Sequence, residues 1–324
     1  MSLAIKRNKI KYYLLALFIV GLMLFNHFAP RLIIQTHSGV LTWLRPPDLE
    51  NRLNIKDFTL NYYPFHIKTN DGFNLACYLV HSEKDFQKGT IILVHGIRAY
   101  KEHFLPLASY LAKNGYNSVL IDLRAHGKSE GKYCSFGYHE KHDLKIVVDT
   151  LLSFGQISHK IGVWGQSLGG AVALQALEND RRLQFGVVES TFSNFRTIVD
   201  DYFHYHSNIS IPILTNFLIS RAEFIGKFDA DEIKPSESAK NIIQPVIMVH
   251  GKKDKRINIS YGKENYKNLN SKQKKFIEYP NANHLNIWKQ DRLYFKKYLH
   301  LLNLLNSNLQ EIQIKARNIP FDSP

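Results

Sequence analysis

The residues best suited to chemistry are Gly165-Gln166-Ser167-Leu168-Gly169-Gly170. They follow the apolar run Ile161-Gly162-Val163-Trp164 and precede Ala171-Val172-Ala173-Leu174, so a strand enters the motif and a helix leaves it. A bare G-x-S-x-G is weak, arising by chance in about one chain in ten of this length at ordinary glycine and serine frequencies. The strand-before, helix-after context turns it into a nucleophile elbow. There the serine occupies a sharp, strained turn with its hydroxyl exposed, and the glycines let strand and helix approach. The helix start also aims N–H groups and a positive dipole end at negative charge developing beside the serine.

A nucleophilic serine needs a base, and the base needs an orienting acid. In an elbow site they follow the serine in the order acid, then histidine. Asp254 lies in His250-Gly251-Lys252-Lys253-Asp254, directly after the apolar run from Pro245 to Val249. Only two histidines come later. His300 sits within Tyr298-Leu299-His300-Leu301-Leu302 and reads as a helix-face residue, whereas His284 ends the loop Pro280-Asn281-Ala282-Asn283-His284. His284 is the base candidate. Glu189, closing the run from Gly186, is a rival to Asp254, since the imidazole requires one carboxylate only. The oxyanion donors expected are the backbone N–H groups of Leu168, after the serine, and Ile97, in His95-Gly96-Ile97 after another apolar run. His95 itself reads as a brace for that loop. Such a site carries out acyl transfer with no metal and no organic cofactor. His139-Glu140-Lys141-His142 does not qualify as a zinc helix, because its histidines are at i and i+3 rather than i and i+4.

The elements that must position these residues alternate. Strands are expected at Phe58 to Tyr63, Phe73 to Val80, Thr90 to Val94, Ser118 to Asp122, Ile161 to Trp164, Gly186 to Glu189, Val246 to Val249 and Lys275 to Glu278. Helical periodicity lies between them at Glu102 to Lys113, His142 to Phe154 and Leu168 to Glu178, and again at Gln290 to Leu304. Continuously apolar strands such as Ile91-Ile92-Leu93-Val94 and Val246-Ile247-Met248-Val249 are buried on both faces. The chain therefore reads as α/β, with a mainly parallel doubly wound sheet. From about 192 to 244 the alternation stops in a stretch rich in Phe, Tyr and Ile. A structureless loop of that length is improbable, and the stretch is expected to form a small helical cap or an extension of the core.

The amino terminus is of another kind. Lys6, Arg7, Lys9 and Lys11 precede an uncharged apolar run from Tyr12 to Ala29, which as a helix covers about 27 Å, nearly the hydrocarbon thickness of a bilayer. His27 and Pro30 make poor surroundings for signal cleavage, so the run reads as an uncleaved membrane anchor. The basic residues before it leave the tail in the cytoplasm and the remaining chain outside. The expected layout is tail and anchor to residue 30, linker 31–57, catalytic domain 58–305 and tail 306–324.

The 324 residues, 44% hydrophobic and 22% charged, exclude a disordered chain, a collagen-like fibre and a polytopic membrane protein. The net charge of +14 is spread over runs such as Lys252-Lys253-Asp254-Lys255-Arg256. These form neither a reading helix nor an aromatic RNA platform, so they read as a solvated basic surface, with attraction to anionic lipid near the anchor as the alternative and nucleic acid not expected. Cys77 and Cys134 allow at most one disulfide.

Taken with Asn70-Asp71-Gly72, His95-Gly96, Asp122-Leu123-Arg124-Ala125-His126-Gly127-Lys128-Ser129, Glu189-Ser190, and the segments around Ser167, Asp254 and His284, the chain resembles α/β-hydrolases of the serine aminopeptidase-like and lysophospholipase-like group. The resemblance spans roughly residues 66 to 300. It implies a serine hydrolase acting on esters, thioesters, lipids or short peptides, with Asp122 and His126 in a structural turn. Ala125 stands where glycine is usual, and Asn281 departs similarly in the loop before His284. The reading is a membrane-anchored ester or thioester hydrolase of apolar acyl substrates. A peptidase with the same triad is the nearest alternative, and a silent binding protein a more distant one.

Overall fold

A computed structural model describes residues 2–36, 53–155, 157–291 and 294–301. Its centre is an eight-stranded sheet in the order β1-β2-β4-β3-β5-β6-β7-β8. The strands are β1 (Tyr62–Lys68), β2 (Asn74–Val80), β3 (Gly89–Val94), β4 (Tyr116–Ile121), β5 (Ile161–Gln166), β6 (Leu183–Glu189), β7 (Val246–Gly251) and β8 (Lys274–Tyr279). β2 runs antiparallel to both of its neighbours, and every pairing from β4 across to β8 is parallel. This is the α/β-hydrolase arrangement.

β3, β4 and β7 are buried along their whole lengths, as continuous apolar runs require in a sheet covered on both sides. Alternation within β3 divides the core: Ile92 and Val94 face one apolar cluster, Ile91 and Leu93 the other. After the N-terminal apolar helix α1 (Ser2–Phe28), a candidate membrane span, the second cluster is covered by α2 (Leu105–Lys113), assisted by the helical residues 294–301. The first cluster is covered by α3 (Glu140–Ser153) and α4 (Leu168–Asn179). The stretch after β6 folds as α5 (Phe195–Ser207) and α6 (Pro212–Gly226), followed by two short helical turns before β7. α7 (Ile259–Asn268) links β7 to β8.

The first strand departs from expectation. Phe58 to Tyr63 was the expected run, but β1 begins at Tyr62 and passes through Pro64 to Lys68. Proline cannot donate a ladder hydrogen bond, and β1 tolerates it because it pairs on one side only, at the sheet edge. Of the expected helix Gln290 to Leu304, residues 294–301 are helical and the end lies outside the described residues, as does the tail 306–324.

The stretch after α1 is partly packed. Residues 37–52 of the expected linker lie outside the described residues. Before them, a helical turn, Arg31–Ile34, packs against α6. Ile34 is fully buried in the main cluster, its carbonyl accepts the N–H of Cys134 at 2.8 Å, and Thr36 donates to the carbonyl of Ala125. Ala125 has φ 61°, the left-handed region that glycine enters freely. Ala125→Gly is expected to stabilise the fold by about 0.5–1 kcal/mol, readable as a raised midpoint in chemical denaturation, because the strain of a Cβ in that region exceeds the extra flexibility of glycine. Cys77 and Cys134 are both free and buried, and burial pushes both thiols well above their ordinary range.

Candidate active site

β5 passes into α4 through a single reversal at Ser167, with φ 56° and ψ −118°. A side chain in that region is strained, so its neighbours must hold it. The Ser167 N–H donates to the Glu189 carbonyl at 2.8 Å, and Thr191 Oγ1 donates to the Ser167 carbonyl at 2.8 Å. Flanking glycines are a packing requirement. A Cβ on Gly165 would stand 2.0 Å from the Gly169 carbonyl oxygen, and one on Gly169 would stand 1.9 Å from that of Val94. The sequence reading did not pick out Thr191; two residues past the end of β6, it has no motif to announce it.

His284, in the loop after β8, donates from Nδ1 to Asp254 Oδ2 at 2.7 Å. The Ser167 hydroxyl faces His284 Nε2 at 3.0 Å. Asp254 follows β7, and its second oxygen accepts the N–H groups of Arg256 and Ile257, both at 2.9 Å. With Nδ1 committed as a donor, Nε2 presents its lone pair to the serine hydroxyl, a geometry able to take that proton and return it to a leaving group. Ser167, Asp254 and His284 are 6%, 5% and 7% exposed, so their interaction is little screened by water. His250 Nε2 donates to the Ile257 carbonyl at 2.9 Å and lies 3.6 Å from Asp254 Oδ2. Burial holds its pKa below the ordinary value, making it a neutral brace for the Asp254 loop.

Glu189 faces elsewhere. It accepts the Trp164 Nε1–H beside Tyr294, in the apolar cluster on the other side of the sheet, where burial raises its pKa. His300 is exposed on the helical segment 294–301.

Ile97 and Leu168 both line a cavity that opens on Ser167. Leu168 is the first residue of α4, so its N–H is among those with no acceptor inside the helix. The Ile97 loop rides directly on the serine: a Cβ on Gly96 would lie 3.3 Å from Ser167 Cβ. Two anchors fix this loop. The Leu123 N–H donates to His95 Nε2 at 3.1 Å, which leaves the ring proton on Nδ1 to bond the Gly96 carbonyl at 2.7 Å. Lys101, 1% exposed, donates its backbone N–H to Asp122 Oδ1 at 2.7 Å and its ammonium to Oδ2 at 2.5 Å. Burial alone would raise the Asp122 pKa; Lys101 overcomes it and holds the carboxyl below its ordinary range.

The cavity measures about 640 Å³ and is lined almost wholly by apolar groups. Phe192, Ile198 and Tyr202 supply one wall and Leu214 and Leu218 of α6 another. A further wall comes from the end of α1 and the turn after it: Phe25, Ala29, Leu32 and Ile33. Sequence reasoning missed these four, because a span and a pocket wall ask for the same apolar residue types. The other motifs have local uses. Glu140 accepts from Ser135 and the Gly137 N–H, fixing the start of α3. Among the described residues, Glu223, Asp229 and Asp231 could bring three ligand oxygens together, but Arg196 already bridges Glu223 and Asp231.

A family model described as serine aminopeptidase, S33, matches residues 85–210. Protein bem46 of Schizosaccharomyces pombe is 28% identical, over 72% of this chain and 75% of its own. The lysophosphatidylserine lipase ABHD12 of Danio rerio is 24% identical, over 80% of this chain and 75% of its own. Among solved structures, the Pyrococcus furiosus esterase Pf2001 superposes with a TM-score of 0.66 at 25% identity, covering 80% of this chain and 96% of that one.

Proposed function

We propose that this chain, an α/β-hydrolase of the serine-hydrolase-like group, cleaves acyl esters or thioesters of apolar, lipid-like substrates by a Ser167-His284-Asp254 triad. Ser167 attacks the acyl carbonyl while His284 takes its proton. Asp254 keeps the imidazole in the tautomer that can accept it and stabilises the positive charge that results. The N–H groups of Ile97 and Leu168 receive the oxyanion, a contribution of about 3 kcal/mol per donor in comparable sites. His284 protonates the departing alcohol or thiol, then activates water to release the acyl group. In this reading α1 spans the membrane with its basic start in the cytoplasm, and the catalytic domain sits outside it.

The observation that carries the substrate class is the cavity. It begins at Ser167, is mostly apolar, with Arg98, His206, Ser207 and Thr215 as its polar lining, and has the end of the proposed span as a wall, a setting suited to an acyl chain that arrives from a bilayer. An aminopeptidase needs a group to hold a free ammonium, and among the described residues no carboxylate lines this space. The esterase and lipase named among the similar proteins favour esters over amides.

The test is a chain-length series of monoacyl esters with the full chain in lipid nanodiscs. Each buried methylene contributes about 0.8 kcal/mol, so kcat/KM is expected to rise about fourfold per carbon until the cavity is filled. A preference for acetyl or butyryl esters, or for amides, would overturn the substrate class.

A further inference from the structure

α6 is apolar on two opposite faces. Thr215, Leu218, Ile219 and Ala222 are buried against the domain, the ordinary i, i+3, i+4, i+7 stripe. On the opposite side Ile213, Phe217 and Phe224 recur at i, i+4 and i+11, a spacing that keeps them on one narrow face. They are 87%, 46% and 74% exposed. The loop entering α6 extends the stripe with Ile209 and Ile211, also exposed. Exposed Asn216 and Ser220 border this face, and its three large apolar side chains still leave a second apolar surface with none of the described residues upon it.

The fold places that medium. The turn Arg31–Ile34, which continues α1, packs against α6, and the two share the cavity through Leu32 and Leu214. Packed helices lie about 8–10 Å apart, so α6 sits within one helix diameter of the end of the span. Cations flank the stripe: Arg221 stacks over the Phe224 ring at 5.3 Å, and Lys227 follows α6 at its exposed end. An apolar face with basic neighbours, beside the end of a span, has the composition of a helix lying in the interface of an anionic membrane.

We propose that the Ile213-Phe217-Phe224 face of α6 lies in the lipid interface, so that the cap is a second membrane contact beside the anchor. The proposal rests on reading α1 as a span, but not on the catalytic roles. The cap then faces lipid on its outside and the cavity on its inside, and the acyl chain enters between α6 and the end of α1.

Nitroxide labels on Ile213→Cys, Phe217→Cys and Phe224→Cys test it in the full chain, in nanodiscs of phosphatidylcholine and phosphatidylglycerol. The buried native thiols do not compete for label. Collision with oxygen, which concentrates in lipid, is compared with collision with a water-soluble nickel chelate. Phe86→Cys, exposed before β3, serves as the water reference and Leu17→Cys as the lipid reference. The three α6 sites are expected to resemble Leu17→Cys. Resemblance to Phe86→Cys overturns the proposal while leaving the anchor intact, and water exposure at Leu17→Cys removes both. Shielding from both probes, with spin coupling between molecules, assigns the face to a second copy and also overturns it. In parallel, Ile213→Asp with Phe224→Asp is expected to cut turnover of a vesicle-borne long-chain ester severalfold and leave that of a short soluble ester unchanged. No turnover of the soluble ester by the parent protein would count against the catalytic reading, and the collision data would still decide this one.

Discussion

Ser167→Ala is expected to lower ester turnover by ~10⁵-fold or more, in line with the loss of a nucleophile that works as one unit with its base. The substitution is clean. Among the described residues the hydroxyl bonds only His284, and the backbone bonds to Glu189 and Thr191 that hold the strained turn use main-chain atoms that alanine retains. Stability should therefore change little while the chemistry stops. A fluorophosphonate probe should label the parent and not the variant. Labelling that persists in Ser167→Ala, or turnover within about tenfold of the parent, would overturn the assignment, since what survives such a loss elsewhere is the oxyanion hole and binding alone.

Asp254→Asn is expected to cost ~10⁴-fold in kcat with little loss of substrate binding. The reason lies in the two bonds at Oδ1. The N–H groups of Arg256 and Ile257 require an oxygen there, so an asparagine must turn its carbonyl to them and its NH2 to His284 Nδ1. The imidazole then moves its proton to Nε2 and can no longer accept from Ser167. Glu189→Gln supplies the contrast. Glu189 bonds Trp164 on the far side of the sheet, so its amide should reduce kcat by less than about tenfold, in keeping with a residue that orients no imidazole. If the Glu189 variant is the inactive one, the roles of the two acids are exchanged.

Much of the fold was legible because its strands are either wholly buried or clearly bounded. Ile91 to Val94 and Val246 to Val249 cannot be mistaken for amphipathic helix, and both appear as inner parallel strands. The edge strand β1 was misplaced because Pro64 interrupts its pattern and an edge need not be apolar on both faces. At the candidate site, chain order and position at strand ends pick out Ser167, Asp254 and His284, and His284 lies within hydrogen-bonding distance of both of the others. What composition could not report was contact across long separations. Ile34 reads as the frayed end of an apolar run, yet it is buried and its carbonyl holds the N–H of Cys134, a hundred positions away. Phe25 and Leu32 carry no mark that distinguishes a residue facing lipid from one facing a substrate cavity.

The docking of Ile34 and Thr36 bears on how the protein can be handled and redesigned. A fragment cut after Thr36 would keep every residue of the proposed triad. It would nonetheless lose a wall of its own cavity and open the slot that Ile34 fills in the main core. Exchange of the proposed anchor for a foreign one has the same consequence unless the graft point lies before Phe25. If α1 is the proposed anchor, the boundary between anchor and hydrolase fold thus falls inside that helix, because Phe25 near its end already walls the cavity.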